Sequence, residues 1–318
     1  MHTAELGAYS SQVKAAVADL VDRKAVERIW GKDAALWKSD PGHQAIIRNS
    51  LGWLTVMGLV RSHKSDLARF SLEVSQAGFT HVVLLGMGGS SLCSDVLRLT
   101  FGDVAGHPRL LVLDTTDPAS VRAVEQAVDL ARTLFIVASK SGTTPEIAAF
   151  HRYFFERIRE RRGPQAGAQF VAITDPGTAL ERSAAEAGFR HTFLNPADIG
   201  GRYSALSYFG MVPATLMGAD ALRLLERGER MAEACRSAAP EQNPGLLLGA
   251  TLGALARAGR DKVTFLCSPA IASFGYWVEQ LLAESTGKEG VGILPVEGEA
   301  LGEPGVYGGD RLFVHLRL

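Results

Sequence analysis

Residues 133–146 read TLFIVASKSGTTPE, and this stretch decides the fold class. Its first six residues are apolar or β-branched without polar alternation, which is typical of a strand buried on both faces. Thr144 and Pro145 then suit the N-cap and the first position of a helix. A buried strand that runs through a short loop into a helix is the repeating unit of a parallel α/β sheet.

The same unit recurs on both sides of this stretch. Short apolar runs predict strands at residues 81–85, 109–113, 133–138, 169–173 and 190–193. Helical patterns lie between them at residues 91–99, 118–131, 145–161 and 180–187. This alternation predicts an α/β fold, a doubly wound parallel sheet with helices on both faces.

Further elements are predicted on either side of this sheet. Apolar residues recur at helical spacing near the N-terminus, and a second helix is predicted over residues 45–60, after the Asp40-Pro41-Gly42 breaker. After residue 220 the predicted order is helix 221–237, linker 240–244, helix 246–258, strand 262–266, helix 274–285 and strand 311–318. We therefore expect a helical segment (1–64), a first sheet domain (65–220) and a partial second domain of the same kind (221–318).

The composition excludes several classes of protein. Hydrophobic residues make up 47% and charged residues 21%, as in ordinary globular domains, and the formal net charge is -1 without a polybasic run. We therefore expect neither a nucleic-acid nor a membrane partner. Cys93, Cys235 and Cys267 are far apart and form no CxxC pair, which favours a reducing cytoplasm over a disulfide framework or a zinc site.

The loop at residues 139–144 carries the strongest chemical signal. Four hydroxyls and one lysine crowd a single turn between a strand and a helix. A well-capped helix would account for residues 144–146. It leaves Ser139, Lys140, Ser141 and Thr143 unexplained. Hydroxyls and backbone N–H groups at a helix N-terminus form a cradle for phosphate, which is the interpretation we favour.

A second loop, GMGGSS at residues 86–91, follows the first predicted strand. It is compatible with a plain tight turn, with an anion site, or with dinucleotide binding. Asp114, at the end of the next strand, stands where a ribose-binding acid would. Taken alone, this loop indicates no more than an anion site.

Two later motifs bring charge to possible ligand sites. Arg202 follows two glycines in Gly200-Gly201-Arg202, and without other context an ordinary surface turn is the favoured explanation of that pattern. Gln280, Glu284 and Lys288 are spaced four residues apart and would share one helical face if the helix continues. A surface Glu–Lys pair is the simpler explanation, and the apolar neighbourhood of Glu284 is what favours a function, because an acid on a buried helix is costly.

Together these elements resemble the phosphoglucose isomerase family. Residues 139–144 look like its phosphate loop, 88–90 like its sugar-facing glycine loop, 200–204 like its Gly-Gly-Arg-[Phe/Tyr]-Ser signature, and 280–288 like its Gln-xxx-Glu-Ser-x-Gly-Lys signature. Residues 28–33 (RIWGKD) and 49–54 (NSLGWL) look more specifically like the isomerase half of bifunctional transaldolase/phosphoglucose isomerase proteins. The resemblance covers almost the whole chain and implies domains of the sugar isomerase (SIS) type.

The resemblance also implies an activity and roles for residues. The expected reaction interconverts glucose 6-phosphate and fructose 6-phosphate through an enediol, with Glu284 as the base and Arg202 stabilising the enediolate. The implied substrate-binding residues are Gly88, Gly89, Ser90, Ser139, Lys140, Ser141, Thr143, Thr144, Gly201 and Gln280. We expect a hexose 6-phosphate substrate, a homodimer and no cofactor or metal, because the proton transfer involves no net redox change.

One departure from the family pattern keeps other interpretations open. The family uses a ring-opening histidine and a lysine after the glutamate motif, whereas this chain ends at residue 318 and His315 is its only later histidine. That role is not carried onto His315, and a truncated chain with little or no turnover is expected. The alternatives are a non-catalytic sugar-phosphate-binding module and, less favoured, a nucleotide-dependent oxidoreductase.

Overall fold

The computed structural model describes residues 4–318, which group into two compact units. One unit comprises Thr55–Leu225. The other comprises Glu226–Leu318 together with the N-terminal residues up to Leu54. This grouping differs from the predicted division at residues 64 and 220, since the N-terminal helices pack within the C-terminal unit. Residues 1–3 of the predicted helical segment lie outside the described residues.

The N-terminal part is helical, as predicted. Its α-helices are α1 (Ser10–Asp22), α2 (Ala25–Trp30) and α3 (Pro41–Arg48). The Asp40 side chain accepts the His43 N–H at 2.8 Å and caps α3, with Pro41 in the first turn. Asp40-Pro41-Gly42 therefore starts a helix and does not merely break one.

The Thr55–Leu225 unit contains a parallel sheet with helices around it. In chain order its elements are α4 (Val56–Ser62), α5 (Lys64–Gln76), β1 (His81–Leu85), α6 (Leu92–Phe101), β2 (Arg109–Leu113), α7 (Pro118–Ala127), β3 (Thr133–Ala138), α8 (Pro145–Arg162), β4 (Phe170–Thr174), α9 (Ala179–Glu186), β5 (His191–Leu194) and α10 (Tyr208–Leu216). The strand order is β2-β1-β3-β4-β5, and every described pair is parallel. The predicted α/β fold class is confirmed.

The core of this unit forms where the central strands are covered by helices. All six residues of β3 and all five of β4 are buried, which is why both read as apolar runs without alternation. Phe135 on β3 stacks against Phe154 of α8 and Phe170 of β4, with ring centroids 4.8 and 5.1 Å apart. These contacts hold α8 against the two central strands.

A second, smaller sheet lies in the other unit. The chain enters this unit within α11 (Ala221–Ala234). It continues through α12 (Pro244–Arg257), β6 (Lys262–Cys267), α13 (Phe274–Thr286), β7 (Leu294–Val296) and β8 (Arg311–Leu316). The order β7-β6-β8 is again parallel. Helix α12 packs against α1, and the Trp30 indole donates to the Cys235 carbonyl at 3.0 Å, so the N-terminal helices pack against the helical part of this unit.

Several sequence predictions need correction. The single helix over residues 45–60 is wrong, because α3 ends at Arg48 and a 3-10 turn at Gly52–Leu54 separates it from α4. Helices α5 and α10 and strand β7 were not predicted; α10 contains Pro213 and β7 is three residues long with Pro295 inside it. Among residues 4–318, no helix is both long and apolar enough to cross a membrane.

Candidate functional site

The strand order creates a topological switch point between β1 and β3. From β1 the chain passes to β2 on one side, and it then returns to β3 on the other side. In open α/β sheets, ligands bind outside the carboxyl ends of the strands where the order reverses in this way. Residues 86–91 leave β1 and residues 139–144 leave β3 at this place, so both predicted ligand loops flank the switch point.

The hydroxyls of the 139–144 loop divide into two pairs. Ser139 is 2% exposed, and its Oγ lies 3.0 Å from Thr144 Oγ1 and accepts the Gly142 N–H at 3.1 Å. Ser141 and Thr143 are exposed and bond to each other, with 3.0 Å between their side-chain oxygens. Ser139 and Thr144 thus brace the loop from inside, while Ser141 and Thr143 offer their oxygens to solvent.

The N-cap side chain of helix α8 accepts no hydrogen bond from the first backbone N–H groups of the helix. Thr144 occupies the N-cap position, but its side chain makes no capping hydrogen bond to α8. The equivalent threonine of α9, Thr178, does accept the Glu181 N–H, at 3.2 Å. Unsatisfied N–H groups and the positive end of the helix dipole favour an anion at this end of α8.

Gly142 shapes the tip of this loop. Its φ is +66°, a left-handed conformation that favours glycine, and a Cβ there would lie 2.7 Å from Cβ of Thr178. The loop is therefore pressed against the start of α9, which forms a second wall beside it. Any larger residue at position 142 would have to move that wall.

Lys140 points away from the loop's hydroxyls and is already paired. Its Nζ forms a close ion pair with the Asp175 carboxylate and donates to the Ala197 carbonyl at 2.9 Å. Burial raises the pKa of the Asp175 carboxyl, and the ammonium of Lys140 opposes that rise. The prediction that Lys140 binds substrate remains untested.

The glycine loop after β1 meets the Gly-Gly-Arg segment backbone to backbone. A Cβ on Gly89 would lie 2.3 Å from the carbonyl carbon of Gly201 and 2.7 Å from the Arg202 nitrogen. Ser204 ties the two segments together, since its Oγ lies 3.1 Å from the Gly89 carbonyl oxygen and 2.6 Å from that of Gly201. The structure thus brings together two motifs that are more than a hundred residues apart in sequence.

The side chains of this junction are accessible in part. Gly88 and Ser90 are half-buried in a 3-10 turn at Gly88–Ser90. Arg202 is half-buried, and its guanidinium carbon lies 5.2 Å from the ring centre of Tyr203. A permanent cation beside closely packed glycine backbone suits an anionic or polyhydroxylated ligand.

Gln280 and Glu284 lie on α13, in the other unit. The Gln280 amide donates to Glu284 Oε1 at 2.8 Å, as the i, i+4 spacing predicts. The helix ends at Thr286, so Lys288 is outside it, but its Nζ reaches the Glu284 carbonyl oxygen at 2.5 Å. Glu284 is exposed, so the expected largely buried helix is wrong at this residue.

Asp175 and Thr178 are the contacts of this site that the sequence argument missed. Asp175 directly follows β4, and a charged residue at the carboxyl end of a parallel strand is a signal that could have found it. Thr178 gives no such signal, because a threonine N-cap is ordinary and only the tertiary structure sets it against Gly142. Asp114, the acid behind the dinucleotide alternative, follows β2.

Comparison with known proteins finds similar proteins that are named glucose-6-phosphate isomerase. Residues 69–301 match the phosphoglucose isomerase family. A probable glucose-6-phosphate isomerase from Methanococcus maripaludis is 30% identical over 237 residues, which cover 71% of this chain and 52% of that relative. The chain spans about half the length of the curated relatives it matches.

Solved structures show the same fold. A hypothetical protein from Thermus thermophilus aligns with a TM-score of 0.77 at 25% identity, over 96% of this chain and 73% of its own. Glucose-6-phosphate isomerase from Chlamydia trachomatis aligns with a TM-score of 0.71 at 21% identity, over 90% of this chain and 61% of its own. Both likenesses support the SIS-type architecture predicted from the sequence.

Proposed function

The chain belongs to the phosphoglucose isomerase family, and from this premise we propose that it binds a hexose 6-phosphate and interconverts glucose 6-phosphate and fructose 6-phosphate. One observation carries the proposal. A hydroxyl-rich loop with unsatisfied helix donors lies at the switch point of a parallel sheet, beside the packed contact of Gly89 with Gly201. The likeness to the isomerase half of bifunctional transaldolase proteins, the homodimer and the cytoplasmic location remain predictions.

The phosphate is assigned to the loop after β3. We assign its direct contacts to the exposed oxygens of Ser141 and Thr143 and to the N–H groups that open α8. Ser139 and Thr144 support this loop from inside, since their hydroxyls bond to each other. This division refines the expectation that all four hydroxyls touch the substrate. Ser90 and Arg202 serve the sugar end, beside the glycine junction.

The proposed chemistry is a proton transfer between neighbouring carbons. In the open aldose, the Glu284 carboxylate takes the proton from C2, and the electron pair moves toward the C1 carbonyl oxygen to give an enediolate. Return of the proton to C1, with proton transfer between the two oxygens, yields the ketose. The guanidinium of Arg202 stabilises the negative charge of the enediolate, which exists only along the reaction path and thus favours catalysis over binding.

Ser141→Ala with Thr143→Ala tests the phosphate site. Hydrogen bonds to a charged group are worth about 1.5–3 kcal/mol each, so losing two should weaken fructose 6-phosphate binding by roughly a hundredfold or more. Calorimetric titration measures the affinity, and a coupled assay measures turnover. The control is Ser65→Ala with Ser75→Ala, which removes two exposed hydroxyls from α5.

The outcomes separate the alternatives. Equal affinity in the two double variants would contradict the phosphate assignment. Binding of fructose 6-phosphate with neither turnover nor exchange of its C1 hydrogen with solvent deuterium would instead indicate the non-catalytic sugar-phosphate-binding module. Binding of a nicotinamide dinucleotide in place of the sugar phosphate would indicate the oxidoreductase.

A further inference from the structure

Lys140 connects three successive loops at the carboxyl edge of the sheet. Its side chain leaves the loop after β3, pairs with Asp175 after β4, and donates to the Ala197 carbonyl after β5. Its backbone takes part as well, since the Lys140 carbonyl accepts the Asp175 N–H at 3.2 Å. The residue is thus held at both its main chain and its ammonium group, across neighbouring strands.

Asp175 is a buried carboxylate, so its negative charge is energetically unfavourable where it pairs with this lysine. It is 8% exposed, and its Oδ1 is buried without a hydrogen-bond partner among the described residues. Asp198 adds a like charge nearby, and burial raises the pKa of the Asp175 carboxyl. Buried ion pairs of this kind contribute little net stability, so a geometric purpose explains Asp175 better than a contribution to folding.

We propose that Asp175 is a positioning residue, which holds Lys140 as a strap so that the 139–144 loop keeps its oxygens and N–H groups aimed at the phosphate. Lys140 then acts through loop geometry and is not a direct phosphate ligand. Such a strap is needed because Ser141 and Thr143, on either side of the tip of the loop, are exposed. Their side-chain hydrogen bonds are with each other and do not tie the loop to a neighbouring strand. The inference rests on the phosphate site proposed above.

The variant Asp175→Asn distinguishes a strap from a phosphate ligand, because the two roles predict opposite changes in phosphate affinity. Removing the carboxylate in Asp175→Asn makes the site more positive, so electrostatics alone would tighten phosphate binding. Removing the cation in Lys140→Met would weaken it. A strap predicts that both variants weaken fructose 6-phosphate binding, each on the order of tenfold, the amount expected for one charged hydrogen bond.

A double-variant cycle makes the test quantitative. If the two residues act as one unit, Asp175→Asn with Lys140→Met binds no more weakly than either single variant, and the salt dependence of binding stays as in the wild type. Tighter binding by Asp175→Asn, or additive losses in the double variant, would overturn the strap and make Lys140 a phosphate ligand. Glu125→Gln is the matched control, since it removes a largely buried carboxylate from the ion pair with Arg157 in the same unit, between α7 and α8, and it should leave affinity unchanged.

A second readout needs no ligand. The Gly142 and Thr143 N–H groups bond to the hydroxyls of Ser139 and Ser141, so their amide hydrogen exchange reports loop order directly. We expect exchange at both amides to quicken on the order of tenfold in Asp175→Asn, and Lys140→Arg, which keeps a cation and donors, to stay near the wild type. Unchanged exchange in Asp175→Asn would reject the strap. If the wild type bound no fructose 6-phosphate, the proposed function would fail while this exchange test still decided the strap.

Discussion

Gly89→Ala probes the contact on which the sugar end of the site depends. The added Cβ would lie 2.3 Å from the Gly201 carbonyl carbon, 2.5 Å from its oxygen and 2.7 Å from the Arg202 nitrogen. All three atoms belong to the backbone, so no side-chain rotation relieves the clash. The two segments must separate, or one of them must change its course.

The expected cost follows from these distances. Ordinary van der Waals contact begins at 3.4 Å, so the backbones must move apart by about 1 Å. Overpacking of this kind costs about 1–3 kcal/mol, and loss of the Ser204 hydrogen bond to the Gly89 carbonyl adds about 1 kcal/mol. We therefore expect a loss of about 2–4 kcal/mol in unfolding free energy, or roughly 5–15 °C in the melting temperature of the Thr55–Leu225 unit.

The assay pairs this variant with Gly58→Ala. Gly58 lies in α4 of the same unit, and a Cβ added there would meet no atom within 4 Å, so the same chemical change should be neutral or stabilise the helix by about 0.5–1 kcal/mol. Thermal unfolding and fructose 6-phosphate titration are measured for both. A displacement of 1 Å at the site should weaken productive binding or turnover up to about a hundredfold. Equal melting temperatures and equal affinities in the two variants would refute the reasoning.

Three further predictions concern titratable groups. Glu284→Gln should lower turnover on the order of a hundredfold or more while the affinity for fructose 6-phosphate persists. Glu279 is an exposed acid of the same helix, and an equal loss of turnover in Glu279→Gln would contradict the assignment of the base. The pKa of Asp175 is raised in the folded state above its usual 3.8, so protonation of Asp175 favours folding. In urea unfolding across a pH series, the stability of the wild type relative to Asp175→Asn should therefore fall as pH rises from 3.8 through the folded-state pKa. Parallel pH curves for the two proteins would argue against this. Burial raises the pKa of the Cys93 thiol to about 12, so at pH 8 Cys93 of the native protein should react with iodoacetamide more slowly than Cys235, although both side chains are partly exposed; equal labelling rates in peptide mapping would oppose this.

Local signals were enough for the elements whose burial and capping agree with their sequence. Strands β1, β2 and β3 occupy the predicted residues, because each is a short apolar run without polar alternation, although the edge strand β2 is only partly buried. Local helix propensity did not predict an element whose formation depends on tertiary packing. Helix α10 forms despite Gly210 and Pro213, since it is buried almost throughout and packing offsets its poor propensity.

The motifs of the candidate site were predictable, but the direction of their side chains was not. Ser139 and Ser141 are equivalent in the sequence as hydroxyls of one loop, yet one is buried and the other exposed. Lys140 read as a phosphate cation, whereas the fold pairs it with Asp175. A sequence pattern specifies which groups a loop carries, while the neighbouring strands decide which way each group points.

The sequence by itself determined the parallel α/β class, the family and the loops that carry its motifs, because these depend on periodicity and on short-range chemistry. Only the tertiary structure decided that Gly89 packs against Gly201, that Thr178 packs against Gly142, and that Asp175 forms an ion pair with Lys140. The physical reason is that the sheet's strand order, not the chain order, makes neighbours of residues tens to more than a hundred positions apart, and that order is set by the packing of the whole unit.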